Sequence, residues 1–256
     1  MSKLHVYQFP YLSDNYGVLL HSPNTSETTC VDCGDAAAAK AALKKTGWSL
    51  TEIWVTHHHG DHTDGVVELK RETGACVTGP APLSQSIAGL DKQVNDAQAF
   101  SFAGTLVKVI HTPGHTKDMM NYYLPDEGIV FTGDTLFTLG CGRLFECDAS
   151  TMHASLEKLA ALPVDTIVYS SHEYTLANAK FALSVDPDNA ALQTRAHHIE
   201  SLRADGKPTV PSTIKEELAT NPFLRSKNPE LRAFLGMGSA SDEEVFAEVR
   251  LRKDKF

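Results

Sequence analysis

No run of apolar residues in this chain approaches the roughly 20 that a membrane-crossing helix requires, so no membrane partner is expected. The opening Met1-Ser2-Lys3-Leu4-His5-Val6-Tyr7 has no long apolar core and no Arg/Ser-rich amphipathic stretch. Neither a signal peptide nor a transit peptide is expected, and the expected location is the cytoplasm. Cysteine is scarce. Cys30, Cys33, Cys76, Cys141 and Cys147 make five, an odd number that suits a reducing compartment better than a disulfide framework. Cys30-Val31-Asp32-Cys33 is formally a C-x-x-C, but it lies at a strand end and no second pair completes a four-thiolate site. Buried free thiols are the expectation. Positive charge is in deficit, with 23 Lys+Arg against 32 Asp+Glu and a net charge of −9. That argues against nucleic acid as a partner and requires any anionic substrate to be met by locally placed cations. Also absent are a Gly-x-Ser-x-Gly nucleophile elbow, a cysteine with an assigned base, and any repeat of solenoid period.

Histidine, by contrast, is clustered. The chain has 12 in 256 residues, and four stand in Thr56-His57-His58-His59-Gly60-Asp61-His62. Neutral imidazole and carboxylate are the ligands that borderline divalent metals prefer. The stretch follows Ile53-Trp54-Val55, which reads as a buried strand. On an extended segment His57 and His59 point the same way, because strand side chains alternate. A turn at Gly60 would let Asp61 and His62 face a second point nearby, so one loop could hold half the ligands of two adjacent metals. The competing reading is a polar loop with a chance run of histidines.

The length and the 42% hydrophobic content allow one large domain, or one domain with an appended piece. Residues 4–9, 16–21, 28–32, 50–56 and 75–78 read as strands, and the Ala-rich 36–46 as a helix stopped by Gly47. Residues 64–73 read as a helix beginning inside the histidine loop, and 80–96 as a loop. Residues 98–111 read as two strands, 119–124 and 129–131 as a hairpin, 151–162 as a helix and 166–171 as a strand. From Tyr174 the chain reads helical almost to its end, interrupted near Pro208–Pro211 and at Asn221-Pro222. The composition shift near residue 173 predicts a strand-rich α/β domain over 1–173 and a helical domain over 174–256. Strands mixed with helices and hairpins predict two packed sheets flanked by helices.

Each candidate ligand follows a predicted strand: His57 to His62 one, His115 another, Asp134 a third and His172 a fourth. Such loops converge when a rigid scaffold fixes them. The candidate set is His57, His59, Asp61, His62, His115, His172 and Asp134, about what two metals need once a water is added. Asp134, with two oxygens, is the natural bridge. For His115 and His172 the competing reading is a core histidine or a helix cap. Each ends a strand beside glycine, serine or threonine, which favours the ligand reading.

The run Thr-His-His-His-Gly-Asp-His (56–62), Gly-His-Thr (114–116), Phe-Thr-Gly-Asp-Thr-Leu-Phe (131–137) and Ser-His-Glu-Tyr-Thr (171–175) resembles the metallo-β-lactamase superfamily. Gly140-Cys141-Gly142-Arg143, Asn221-Pro222-Phe223-Leu224-Arg225 and the basic end Arg250 to Phe256 narrow the resemblance to the glyoxalase II family of hydroxyacylglutathione hydrolases. The resemblance implies a four-layered αβ/βα sandwich followed by a helical substrate domain. It implies one metal on His57, His59 and His115, another on Asp61, His62 and His172, and Asp134 with a hydroxide bridging them. Zinc is the expected metal, with iron and manganese compatible with the same donors. His58 and His111 match no ligand position and are expected to be solvated or to brace their neighbours. The implied reaction is hydrolysis of S-(2-hydroxyacyl)glutathione, chiefly S-D-lactoylglutathione, to glutathione and D-lactate, the second step of methylglyoxal detoxification. Asp61 is a candidate to take the proton of the attacking water. Arg143, Phe145, Tyr174, Arg250 and Lys253 match substrate-contacting positions. Phe145 stands where the family often has tyrosine, Arg143 where it often has lysine, and Cys33 replaces a common proline. A monomer is the default expectation. The rival chemistries are a mononuclear glutathione persulfide dioxygenase using His57, His115 and Asp134, a nucleic-acid-processing hydrolase of the same fold, and a non-catalytic metal binder. The complete second ligand set, the net charge and the absence of lost ligands stand against them in turn.

Overall fold

A computed structural model describes residues 3–256. The chain divides into two compact units. One comprises residues up to His111 together with Lys117–Gly133, and the other Thr112–Thr116 together with Asp134–Phe256.

The first unit opens with the antiparallel strands β1 (His5–Tyr11), β2 (Asn15–His21) and β3 (Thr28–Val31). Helix α1 (Ala36–Thr46) then crosses to β4 (Glu52–Trp54), which pairs parallel with β3. Asp35 caps α1 by accepting from the Ala37 and Ala38 amides, and Gly47 ends it at φ 73°. The histidine stretch follows β4 and forms the one-turn helix α2 (Gly60–Thr63), separated from α3 (Val66–Thr73). The predicted helix over 64–73 is therefore the second of two, and the first turn contains Asp61 and His62. Strands β5 (Cys76–Pro80) and β6 (Lys92–Val94) extend the sheet in parallel. The expectation of a plain loop over 80–96 is corrected here, because three of its residues complete the sheet edge. Their side chains are mostly polar and exposed, which hides an edge strand from any search for apolar alternation. Strands β7 (Ala99–Phe102), β8 (Thr105–His111), β9 (Met120–Leu124) and β10 (Ile129–Gly133) form an antiparallel meander in the order β10-β9-β8-β7.

The period-two rule sorts the core of this unit into two faces. Ile53 and Val55 pack with Ala36, Ala39, Leu43, Val66 and Leu69 beneath α1 and α3. Trp54 points the other way and meets Phe100, Phe102 and Tyr122 of the meander at ring-centroid distances of 5.3, 5.2 and 5.4 Å. The β4 strand is thus buried on both faces, and the loop that follows it is anchored on a rigid element.

The second unit begins with a two-strand hairpin, β11 (Leu136–Phe137) and β12 (Gly140–Cys141), and helix α4 (Ala149–Ala160) capped by Asp148. Strand β13 (Ile167–Ser170) follows, then α5 (Thr175–Val185) and α6 (Ala190–Ala204). The two-residue β14 (Ser212–Thr213) pairs antiparallel with β13, so the helical C-terminal stretch returns one short strand. Helices α7 (Ile214–Thr220), α8 (Pro229–Leu235) and α9 (Asp242–Lys255) complete the chain. Capping boxes open α7 at Thr213 and α9 at Ser241. Helix α9 carries Asp242, Glu243 and Glu244 in its first turn and Arg252, Lys253 and Lys255 in its last, which matches its macrodipole. Among the described residues no helix is long and apolar enough to cross a membrane.

The buried Tyr122 hydroxyl donates to the Val55 carbonyl at 2.7 Å, tying β9 to the end of β4. Tyr122→Phe leaves that carbonyl unsatisfied and is expected to lower unfolding free energy by about 1–2 kcal/mol. Urea titration measures it; an unchanged midpoint would show that the bond adds nothing to stability.

Candidate metal centre and substrate site

The histidine loop is built from Asp32. This residue follows β3 at φ 57°, a left-handed conformation that aspartate tolerates better than most residues. Its buried carboxylate accepts from the Thr56 amide at 2.8 Å through Oδ1 and from the Thr56 hydroxyl at 2.9 Å through Oδ2. Oδ2 also lies 2.9 Å from His62 Nδ1. The hydroxyl of Thr56 has one proton, and Asp32 receives it. The contact at 3.0 Å between Thr56 Oγ1 and His57 Nδ1 is then donated by the imidazole. Both His57 and His62 therefore carry their proton on Nδ1 and direct the lone pair of Nε2 outward, the tautomer that leaves Nε2 available to a metal.

The remaining loop donors are placed as tightly. His57 Nε2 lies 3.1 Å from His59 Nδ1, and His62 Nε2 lies 3.3 Å from Asp61 Oδ2. Asp61 is braced by the Tyr11 hydroxyl on its carbonyl at 2.8 Å and by Asn15 Nδ2 on its Oδ2 at 2.9 Å. Gly34 lets the chain pass beneath it, since a Cβ there would stand 1.9 Å from the Asp61 carbonyl oxygen. His58 alternates to the opposite side, where its Nδ1 lies 3.0 Å from both oxygens of the fully buried Asp118. Its side chain is only 3% exposed, so the solvated option for His58 is corrected to a buried brace of the loop. His111 contacts the Lys117 carbonyl through Nε2 at 2.7 Å.

The second unit assembles the other three donors. Asp134 Oδ2 lies 3.4 Å from His115 Nε2 and 3.3 Å from His172 Nε2. His115 Nδ1 faces the Arg143 carbonyl at 2.9 Å. A carbonyl only accepts, so His115 is also protonated on Nδ1 and offers Nε2. Gly142 is required under Asp134, because a Cβ there would meet the Asp134 carbonyl oxygen at 2.0 Å. The His172 ring stacks on Tyr174 with centroids 4.6 Å apart and planes 4° from parallel, and the edge of Phe137 closes on it at 5.8 Å.

These two sets fit divalent cations on their donor chemistry. They comprise five imidazoles and two carboxylates with no thiolate. The 3.1–3.4 Å separations match the edge of a coordination tetrahedron, about 3.3 Å for ligand bonds of about 2.0–2.1 Å. The cysteines are free. Burial pushes the thiols of Cys33 and Cys141 up to about 12 and about 11, and that of Cys30 well up, which removes them as thiolate ligands or nucleophiles.

A basic group lies in the second unit. Arg250 is 4% exposed: Nε and Nη2 donate to Asp254 Oδ1 at 3.0 and 2.6 Å, and Nη1 to the Cys141 carbonyl at 3.2 Å. Lys253 Nζ stands over the rings of Phe181 and Phe256 at 5.1 and 5.6 Å. Desolvation first, then the charges of Arg250 and Arg143, push its pKa down to about 8. Arg143 is exposed. Phe145 is 61% exposed, with its ring 5.0 Å from that of His115, and Tyr174 is also exposed.

The model of the metallo-beta-lactamase superfamily matches residues 18–172, and that of the hydroxyacylglutathione hydrolase C-terminus matches residues 173–256. The chain is 53% identical over 254 residues to proteins named hydroxyacylglutathione hydrolase from Brucella ovis and Brucella abortus, covering 99% of each partner in both comparisons. This chain belongs to the hydroxyacylglutathione hydrolase family of the metallo-β-lactamase superfamily. Among solved structures it is similar to ETHE1 from Myxococcus xanthus, with TM-score 0.69 and 25% identity over 96% of this chain and 90% of that one. A metallo-beta-lactamase from Staphylococcus aureus, with TM-score 0.64 and 21% identity over 98% and 72% of the two chains, shares the fold. The mixed sheets with helices and a C-terminal helical region are those of the superfamily.

Asp32, Asn15, Tyr11 and Asp118 were not singled out from the sequence. Asp32 carried a weak signal, an acidic residue ending a strand in Asp32-Cys33-Gly34-Asp35. The others lie 46, 50 and 60 positions from the loop residues they hold. Asp32→Asn keeps the shape but loses an acceptor shared by Thr56 and His62. It is expected to weaken metal binding by about 10–100-fold, read by chelator competition. Wild-type affinity would assign Asp32 to folding alone.

Proposed function

We propose that this chain hydrolyses the thioester of S-(2-hydroxyacyl)glutathione, S-D-lactoylglutathione foremost, releasing glutathione and D-lactate. The observation that carries this is the match to hydroxyacylglutathione hydrolases from end to end, including the region that holds Arg250 and Lys253. The seven donors would serve two ions: His57, His59 and His115 one, Asp61, His62 and His172 the other, with Asp134 shared. Zinc suits them best, and iron or manganese would be accepted by the same atoms. Bound there, such ions supply a nucleophile by acidifying water to a pKa of around 7 and polarise the carbonyl as Lewis acids.

The protein's own residues do the rest. Asn15 holds the Asp61 carboxylate in one orientation, and Asp61 takes the proton of the attacking water. The departing thiolate needs little help, since the conjugate thiol has a pKa of about 8.5. Residues 174–256 form the substrate domain, in which Arg143 and Lys253 meet the carboxylates of glutathione. Arg250 is already committed to Asp254 and Cys141, and its part is to hold that cluster in shape. The dioxygenase reading needs only His57, His115 and Asp134. It leaves the bracing of Asp61 and His62 by Asn15 and Asp32 without purpose.

The test is loss of thioester absorbance with S-D-lactoylglutathione, with metal content measured on the same sample. Rapid turnover with about two metals per chain is expected; full metal loading without turnover overturns the substrate assignment. A second expectation concerns pH. Lys253 is cationic below its pKa of about 8 and neutral above it. KM is therefore expected to rise as pH passes from 7 to 9, and Lys253→Arg to remove that rise while preserving binding. A KM that stays flat in the wild type, or a rise that persists in the arginine variant, excludes Lys253 as the titrating contact.

A further inference from the structure

The β11–β12 hairpin turn is two residues long, Thr138-Leu139, and four backbone groups in and beside it are held by side chains of the helical region. Glu217 of α7 is fully buried, and its Oε2 accepts the Leu139 amide at 2.8 Å. Asn221, just beyond α7, is also fully buried, and its Nδ2 donates to the Phe137 carbonyl at 3.2 Å and the Gly140 carbonyl at 3.0 Å. The same amide reaches Glu217 Oε2 at 2.9 Å. Asn178 of α5 donates to the Thr138 carbonyl at 3.1 Å. Arg195 of α6 holds the other carboxylate oxygen of Glu217 at 2.6 Å and the Thr220 hydroxyl at 2.6 Å.

A buried carboxylate is costly unless paired, and this one is paired on both oxygens. The turn that it holds is only two residues long. Its geometry does need support: Leu139 sits at φ 57°, a conformation that disfavours leucine, with its side chain buried among Ala179, Ala182, Leu192 and Ala196. Both arms of the hairpin lead into the site. Phe137 closes on His172 and Tyr174, at 5.8 and 5.4 Å. Cys141 accepts from Arg250, and two residues on stands Arg143, whose carbonyl orients His115.

We propose that Glu217, Asn221 and Asn178 form a clamp that positions Arg143 for the substrate carboxylate, making them positioning residues for substrate binding rather than supports of the helical fold. This rests on the hydrolase reading above. The clamp acts on binding, so its loss is expected to raise KM more than it lowers kcat. It acts through Arg143, so its loss should add nothing once Arg143 is gone.

The experiment compares Glu217→Gln, Asn178→Ala, Arg143→Ala and the doubles of each clamp variant with Arg143→Ala. KM and kcat for S-D-lactoylglutathione, metal content and the calorimetric Kd for glutathione itself are measured for each. Expected is a rise in KM and in Kd of about tenfold for a clamp variant, the size of one lost charge-assisted bond. Metal content should be unchanged, and each double should match Arg143→Ala alone. Effects that multiply with those of Arg143→Ala, or kcat and metal content falling with KM unchanged, overturn the clamp. Should Glu217→Gln not fold, Asn178→Ala carries the same comparison. A wild type that binds glutathione but turns over no thioester would defeat the hydrolase reading while leaving the clamp to be judged on Kd. A wild type that does neither defeats both.

Discussion

The Asp32 carboxylate is the contact on which the histidine loop depends. Three donors converge on its two oxygens: the Thr56 amide, the Thr56 hydroxyl and His62 Nδ1. Through the single proton of Thr56 it also sets the tautomer of His57, which it never touches. One buried negative charge thus decides which nitrogen two imidazoles present. Its position in turn depends on a left-handed residue at the end of β3 and on the parallel pairing of β3 with β4, which brings Val31 beside Trp54. A buried carboxylate is a liability that must be matched by partners. Here every partner belongs to the histidine loop.

The same pattern recurs at two further candidate donors, Asp61 and His115, and at their neighbour His58. Asp61 is held by Tyr11 and Asn15, His58 by Asp118, and His115 by a carbonyl of the Arg143 loop. These hydrogen bonds fix the orientation of the side chains, as a metal site would require. In the second unit Glu217 plays towards the β11–β12 hairpin the part that Asp32 plays towards the histidine loop. Both are acidic side chains with negligible exposure, and both receive backbone amides of an irregular segment.

A chain of net charge −9 meets the two carboxylates of a glutathione thioester only through locally placed cations. Arg143, Arg250 and Lys253 are close enough that, after desolvation, the first two also lower the pKa of the third. That mutual repulsion is unfavourable, and an entering carboxylate would relieve it. Arg250 bears it with the help of Asp254, one helical turn away, and the ring of Phe223 at 5.1 Å.

The strongly patterned parts were legible in one dimension. Helix α1, the β7–β8 and β9–β10 hairpins and the breaks at Pro208–Pro211 and Asn221-Pro222 followed from local periodicity and turn residues, and the superfamily from the resemblance of its motifs. Those signals lie within a few residues of one another. Strand β6 was not legible, because its polar, exposed residues owe their conformation to β5 beside them. Strand β14 is two residues long and exists only through β13. Of the site, the sequence by itself determined the donor types, their order along the chain and the side to which His57, His58 and His59 alternate. Only the tertiary structure decided which nitrogen each ring presents, that His58 is buried against Asp118, and that Arg250 is already paired. Those outcomes depend on hydrogen bonds between residues dozens of positions apart, whose energies exist only once the chain has brought them together.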